Sequence, residues 1–198
     1  MSSHHIVRDE QEPALLILSL RDIRNSTIDE LLEWSPTVVL PDILINDVLN
    51  RGFRFDIILC EEAKENLLRK SLRAYFPLRF LSASPDLWLD RTIDCLVESG
   101  HNALSIITDQ FDDRFMTKKH LPNIDLVIYD TNFKWHRVQA HFKKWFPKGQ
   151  EIRMVGSNFE ITGYITSNRD LGYSYITEYN GMIVISCSEP IWFGERII

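Results

Sequence analysis

The hydrophobic period of this chain changes once, near residue 131, and that change restricts the fold more than any single motif does. Before it, short apolar runs alternate with amphipathic stretches; after it, apolar residues recur at every second position. The first pattern belongs to strands joined by helical crossovers in a mostly parallel sheet, the second to an antiparallel all-β fold. We therefore expect an α/β domain with flanking helices over residues 1–130, followed by a small all-β sandwich domain over residues 131–198.

In the first part, Ala14-Leu15-Leu16-Ile17-Leu18 is too short for a helix and is bounded by Pro13 and Arg21, so it reads as a buried strand. Thr37–Leu40, Phe55–Leu59, Leu78–Leu81, Leu104–Ile107 and Leu126–Tyr129 read as further strands. A helix carrying Ile28, Leu31, Leu32 and Trp34 has Asn25 or Ser26 as its cap and ends before Pro36. A second, with Leu44, Ile45, Val48 and Leu49 at helical spacing, stops at Gly52. Ala63–Tyr75 is amphipathic, and Leu87–Val97 is a helix stopped by Gly100. In the second part we expect strands at Ile152–Val155, Glu160–Thr166, Tyr173–Thr177, Met182–Cys187 and Ile191–Phe193. Asn180-Gly181 predicts a tight type I′ hairpin between the two strands that flank it.

Charge and composition remove several functions. Twenty-two basic against 28 acidic residues give a net charge of −6, which lacks the basic footprint of a nucleic-acid binder. Phe133–Arg137 and His141–Phe146 interleave aromatics with Lys and Arg, but we read them as half-buried strands with snorkelling charges rather than a stacking platform. No apolar run reaches the roughly 20 residues of a membrane helix, and the N-terminus lacks a signal-peptide pattern. Cys60, Cys95 and Cys187 are widely spaced, which fits reduced thiols and a cytoplasmic location. His4 and His5 read as solvated tail.

The common phosphate-loop, dinucleotide, nucleophile-elbow and zinc-protease patterns are missing. In an open α/β sheet, ligands gather beyond the carboxyl ends of the strands. Four carboxylate-bearing segments fall there: Asp42, Cys60-Glu61-Glu62, Ser84-Pro85-Asp86, and Asp109 with Asp112-Asp113-Arg114. Carboxylates at one sheet edge suit Mg²⁺ and, through it, a polyphosphate. Each is equally placed to start a helix, where the helix dipole favours negative charge.

An α/β part followed by a β-rich tail, with these stretches, resembles thiamine pyrophosphokinase, in particular its Bacteroidetes branch. The similarity lies in His4–Leu15, in Leu31-Leu32-Glu33-Trp34-Ser35-Pro36 with Val38-Val39, and in Asp56-Ile57-Ile58-Leu59. The resemblance implies a homodimeric enzyme that transfers pyrophosphate from ATP to thiamine with Mg²⁺, giving thiamine diphosphate and AMP. It assigns catalysis to Asp42, Glu61 and Asp86, metal binding to Glu61 and Asp86, and thiamine binding to Thr166, Ser167 and Asn168, which are similar to a family segment beside the thiamine pocket. Ser167-Asn168 is also an ordinary turn pair.

The family's catalytic motifs are eroded in this chain. The A-N-G motif falls on Leu18-Ser19-Leu20, where leucine obstructs the close approach that glycine permits. D-G-[GA] falls on Asp42-Ile43-Leu44, and G-D-F-D falls on Cys60-Glu61-Glu62-Ala63, where Ala63 cannot replace a carboxylate. D-x-x-T-D falls around Pro85-Asp86-Leu87-Trp88, and G-R-x-x-D-H near Phe111–Met116. Three functions follow as expectations: a thiamine pyrophosphokinase-like protein with weak or lost activity; a catalytically silent paralogue that binds a small molecule or a protein; or an enzyme with a changed substrate that uses Asp109, Asp112 and Asp113. Leu20, Ile43, Leu44, Trp88 and Phe111 filling the nucleotide cleft would favour the silent paralogue.

Overall fold

The computed structural model describes residues 13–112, 115, 124–168 and 173–197, and the side chain of Asn168 lies outside the description. The chain divides into two compact units, the first ending at Leu126 and the second beginning at Val127. Among the described residues no helix is long and apolar enough to cross a membrane.

The first unit is built on five parallel strands: β1 (Ala14–Ile17), β2 (Val38–Pro41), β3 (Ile57–Cys60), β4 (Arg79–Ser82) and β5 (Ala103–Ile107). Their order is β5-β1-β2-β3-β4. Helices α1 (Asn25–Leu32), α2 (Ile45–Arg51), α3 (Glu62–Ser71) and α4 (Trp88–Glu98) lie on the connections between successive strands, as parallel pairing requires. β1, β2 and β3 are buried at every position, as continuous apolar runs in a sheet covered on both faces should be. β4 is the edge strand, and only Leu81 within it is buried.

Two local expectations are corrected. Helix α1 has Arg24 as its N-cap and no side-chain cap bond; Asn25 lies inside the helix, where its Oδ1 accepts a 2.8 Å hydrogen bond from Arg51 Nη1. Trp34 lies beyond the end of α1 and is exposed. Gly52 and Gly100 stop their helices with φ of 77° and 86°, the left-handed conformation that glycine adopts cheaply.

The second unit is antiparallel. β6 (Asp125–Tyr129), β7 (Phe133–Val138), β14 (Ile191–Arg196), β9 (Glu151–Val155), β12 (Ser174–Thr177) and β11 (Ile165–Asn168) follow one another in one sheet, while β10 (Phe159–Thr162), β13 (Gly181–Cys187) and β8 (His141–Phe146) form another. A core of Val138, Phe146, Ile152, Met154, Ile183, Ile185, Ile191 and Phe193 unites residues of both sheets. The two Lys-aromatic segments are indeed strands, β7 and β8. The strand expected over Glu160–Thr166 is two strands in different sheets, broken where Gly163 adopts a φ of 144°.

The Asn180-Gly181 hairpin is also overturned. β12 pairs with β11 and β9, whereas β13 pairs with β10 and β8, so the chain changes sheets at this point. Neither residue is among the positive-φ positions that a type I′ turn demands. Asn180 instead accepts a 2.8 Å hydrogen bond from the backbone N–H of Lys148.

Two packing features lead to predictions. Gly194 faces Trp135 across the β14–β7 pair, and a Cβ there would lie 2.7 Å from the Trp135 ring. Gly194→Ala should cost about 1–3 kcal/mol, which lowers the melting temperature by roughly 2–4 °C per kcal/mol in a chain of this size. Glu195 lies near Lys144 Nζ (2.5 Å) and His136 Nε2 (3.3 Å). Burial alone would raise its carboxyl, but the hydrogen bonds and charges of His136 and Lys144 prevail and hold it at about 2. A carboxylate with a depressed folded pKa stabilises the protein above its unfolded value, near 4.5, and that contribution is lost as pH falls toward the folded value. Thermal melts of Glu195→Gln should therefore lose less stability than wild type between pH 5 and pH 2.

Candidate functional site

The order β5-β1-β2-β3-β4 places the topological switch between β1 and β5, because the chain steps outward from β1 to β4 and then returns to the other side of β1. Such a switch opens a crevice beyond the strand ends. The pairing runs slightly past the strands: Leu18 and Ser19 donate backbone hydrogen bonds to the Ile107 carbonyl at 2.8 and 3.4 Å. Above this point lie two cavities that share Leu18 and Asp109. One, of about 620 Å³, is lined by the β1 exit and by Ile43, Leu44, Asp47, Asn50 and Arg51. The other, of about 140 Å³, lies against Asp86, Trp88, Thr108 and Phe115.

The bulky residues expected in a nucleotide cleft are present but do not close it. Leu20 and Leu44 are buried in its wall, whereas Ile43 is 64% exposed at the rim. Trp88 lines the smaller cavity, and Phe111 stacks on Phe115 with ring centroids 5.7 Å apart. The cleft contains Arg21 and Arg51 as well as Asp47 and Asp109, so its charge is mixed rather than purely acidic. Sequence reading missed Asp47, Asn50 and Arg51. They form the polar i, i+3, i+4 stripe of α2, opposite buried Ile45 and Val48, and that spacing was the available signal.

The predicted catalytic residues all follow the carboxyl ends of parallel strands, on three different connections. Asp86 lines the smaller cavity, in the first turn of a short helical segment at Pro85–Leu87. Asp42 follows β2, and its Oδ2 lies 3.1 Å from Lys64 Nζ. Glu61 is the exposed N-cap of α3. None of these segments has a side-chain cap bond. Asp109 lies next to Thr108, whose Oγ1 donates to it at 3.3 Å. Asp113, part of the rebuilt-cluster reading, lies outside the described residues, as do Arg114 and the His4–Glu12 segment.

A divalent cation needs several oxygens converging on one point. Among the described residues no group of three or more His, Cys, Asp or Glu side chains is arranged to hold a metal ion. Asp42 is already engaged by an ammonium group, and Ala63 offers no oxygen. Among the described residues, the side chains at these strand exits do not by themselves form the Mg²⁺ centre that the resemblance implies.

Electrostatics at the β3 exit reflect the same arrangement. Lys64 has a raised pKa through its hydrogen bond to Asp42 and the Asp42 charge. The Cys60 thiol is pushed up first by burial and then by the charges of Asp42 and Glu65. A buried thiol held protonated is a poor nucleophile.

In the second unit, Thr166, Ser167 and Asn168 lie on the edge strand β11 and not in a turn. Their partners on β12 are Ile176, Tyr175 and Ser174, so positions 166 and 168 share one face and Ser167 takes the other. The Thr166 hydroxyl donates to the Glu178 carboxylate.

The geometry defines a class: a parallel α/β unit with a cleft at its switch point, followed by an antiparallel β unit. Solved structures similar to it include thiamine pyrophosphokinases, and the chain has their fold. It covers 92% of its length against 98% of the thiamine pyrophosphokinase from Bacillus subtilis, with a TM-score of 0.61 and 16% identity. For the thiamin pyrophosphokinase from Candida albicans the coverage is 96% and 90%, the TM-score 0.62 and the identity 10%. For the yeast thiamin pyrophosphokinase the coverage is 98% and 88%, the TM-score 0.58 and the identity 10%. At these identities the likeness is one of fold. No protein-family model matches the chain, and no curated protein matches it.

Cys60 and Cys95 are buried and Cys187 is half-buried. With a thiol-specific chromogenic reagent at mildly alkaline pH, Cys187 should react first in the native protein, and Cys60 and Cys95 only on unfolding.

Proposed function

We propose that this chain is a thiamine pyrophosphokinase-like protein that has lost most or all Mg²⁺-dependent pyrophosphate transfer from ATP to thiamine and now binds a small molecule in the switch-point cleft. One observation carries this reading: of Asp42, Glu61 and Asp86, none is among the residues lining the larger cavity, Asp86 lies against the smaller one, and Asp42 is paired with Lys64. Pyrophosphate transfer depends almost entirely on charge stabilisation and positioning. Scattered carboxylates supply neither. The open cleft of about 620 Å³, with its arginines and carboxylates, supports a retained binding role. Thr166, Ser167 and Asn168 of β11 are the residues we assign to any thiamine contact in the second unit, and we propose that the protein is a homodimer.

Isothermal titration of the purified protein with a non-hydrolysable ATP analogue, with and without Mg²⁺, and separately with thiamine tests this reading, together with an assay for AMP release. We expect AMP release to be at least about a thousand-fold below that of an intact enzyme, the equivalent of roughly 4 kcal/mol of transition-state stabilisation. We also expect saturable binding of at least one of the two compounds. Mg²⁺-dependent analogue binding that disappears in Glu61→Ala, accompanied by AMP release, would overturn the loss of activity. Absence of binding by either compound would overturn the small-molecule role. Light scattering during size exclusion tests the dimer, and a monomer mass would remove it.

A further inference from the structure

The disagreement between this donor set and a metal centre has a specific cause. Asp42 and Lys64 come from the exits of adjacent strands, β2 and β3, whose register pairs Pro41 with Leu59. Glu61 caps α3 and accepts the backbone N–H of Lys64 at 2.9 Å, which fixes Lys64 in the first turn of the helix. From there its ammonium reaches Asp42 Oδ2 at 3.1 Å. The Asp42 side chain is only 11% exposed, so its carboxylate has little water to solvate it, whereas Lys64 is 48% exposed. Glu62 and Glu65 share the same turn, and Glu65 is in turn bridged to Arg69 at 2.7 Å.

A poorly hydrated carboxylate beside further acidic residues needs a positive counter-charge, and leaving it unpaired is strongly unfavourable. In a metal-dependent site a divalent ion provides that charge. We infer that Lys64 is a tethered counter-ion that takes over the electrostatic role of a divalent cation at the β2 and β3 exits, so these exits neither need nor bind one. The inference rests on the reading of this chain as metal-independent and adds what replaced the metal. Lys64 directly follows Cys60-Glu61-Glu62-Ala63, a stretch whose last side chain carries no oxygen.

The test is thermal denaturation of the full chain in chelator, in millimolar Mg²⁺ and in millimolar Mn²⁺, for wild type, Lys64→Met, Lys64→Arg and the double variant Asp42→Asn/Lys64→Met. Wild type and Lys64→Arg should melt at the same temperature in all three conditions. Lys64→Met should melt roughly 3–6 °C lower in chelator and recover part of that loss with either metal. The double variant should regain most of the loss without metal and ignore metal, because the carboxylate that needed a counter-ion is gone. A Lys64→Met protein as stable as wild type in chelator would overturn the inference. Should Lys64→Met fail to fold, Mn²⁺ line broadening in the NMR spectrum of wild type decides alone. No broadening near Asp42 and Glu61 supports the tethered counter-ion, and broadening there overturns it. Mn²⁺ binding without AMP release would defeat this inference while leaving the loss of activity intact, whereas Mg²⁺-dependent AMP release would defeat the functional reading itself.

Discussion

The parallel pairing of β1 with β2 on one side and β5 on the other is the constraint from which the site follows. Ala14–Ile17 is fully buried on both faces, so the strand cannot slip or turn over without exposing its apolar side chains. With β1 fixed between them, the chain must leave toward β2 in one direction and return from β4 in the other. The cleft is the space left where those two paths diverge, and it exists whatever residues line it.

What lines it decides the chemistry. Leu20 and Leu44 supply apolar wall, and Ile43 turns outward at the rim of the open cleft. The carboxylates remain at the strand exits but are separated: Asp86 faces the smaller cavity, Asp109 is shared by both cavities, and Asp42 is drawn to Lys64. A scaffold can thus keep its architecture through hydrophobic burial alone while its polar constellation changes, since the two are stabilised by different interactions.

The second unit manages charge differently. Glu195 is held ionised inside a half-buried trio with Lys144 and His136, and Glu151 is bridged by Arg153 and Arg196 at 3.0 and 2.6 Å. Both carboxylates lie on strands next to β14 or on β14 itself, so the basic residues of the Lys-aromatic stretch are spent partly on internal pairing.

The sequence by itself determined the elements whose signal is local. Buried runs such as Ile57–Cys60, the glycine stops at Gly52 and Gly100, and the change of period near residue 131 were legible because burial on both faces and a left-handed φ each demand particular residue types nearby. The placement of Asp42, Glu61 and Asp86 at strand exits was legible for the same reason. It did not disclose which carboxylates converge, that Lys64 reaches Asp42, or that Asn180-Gly181 joins strands of different sheets. Those outcomes depend on contacts between residues far apart in the chain, and on which way each side chain points once the sheets have packed. Only the tertiary structure decided them, because a local pattern specifies the strand or helix but leaves open which other element will satisfy its charges and backbone hydrogen bonds.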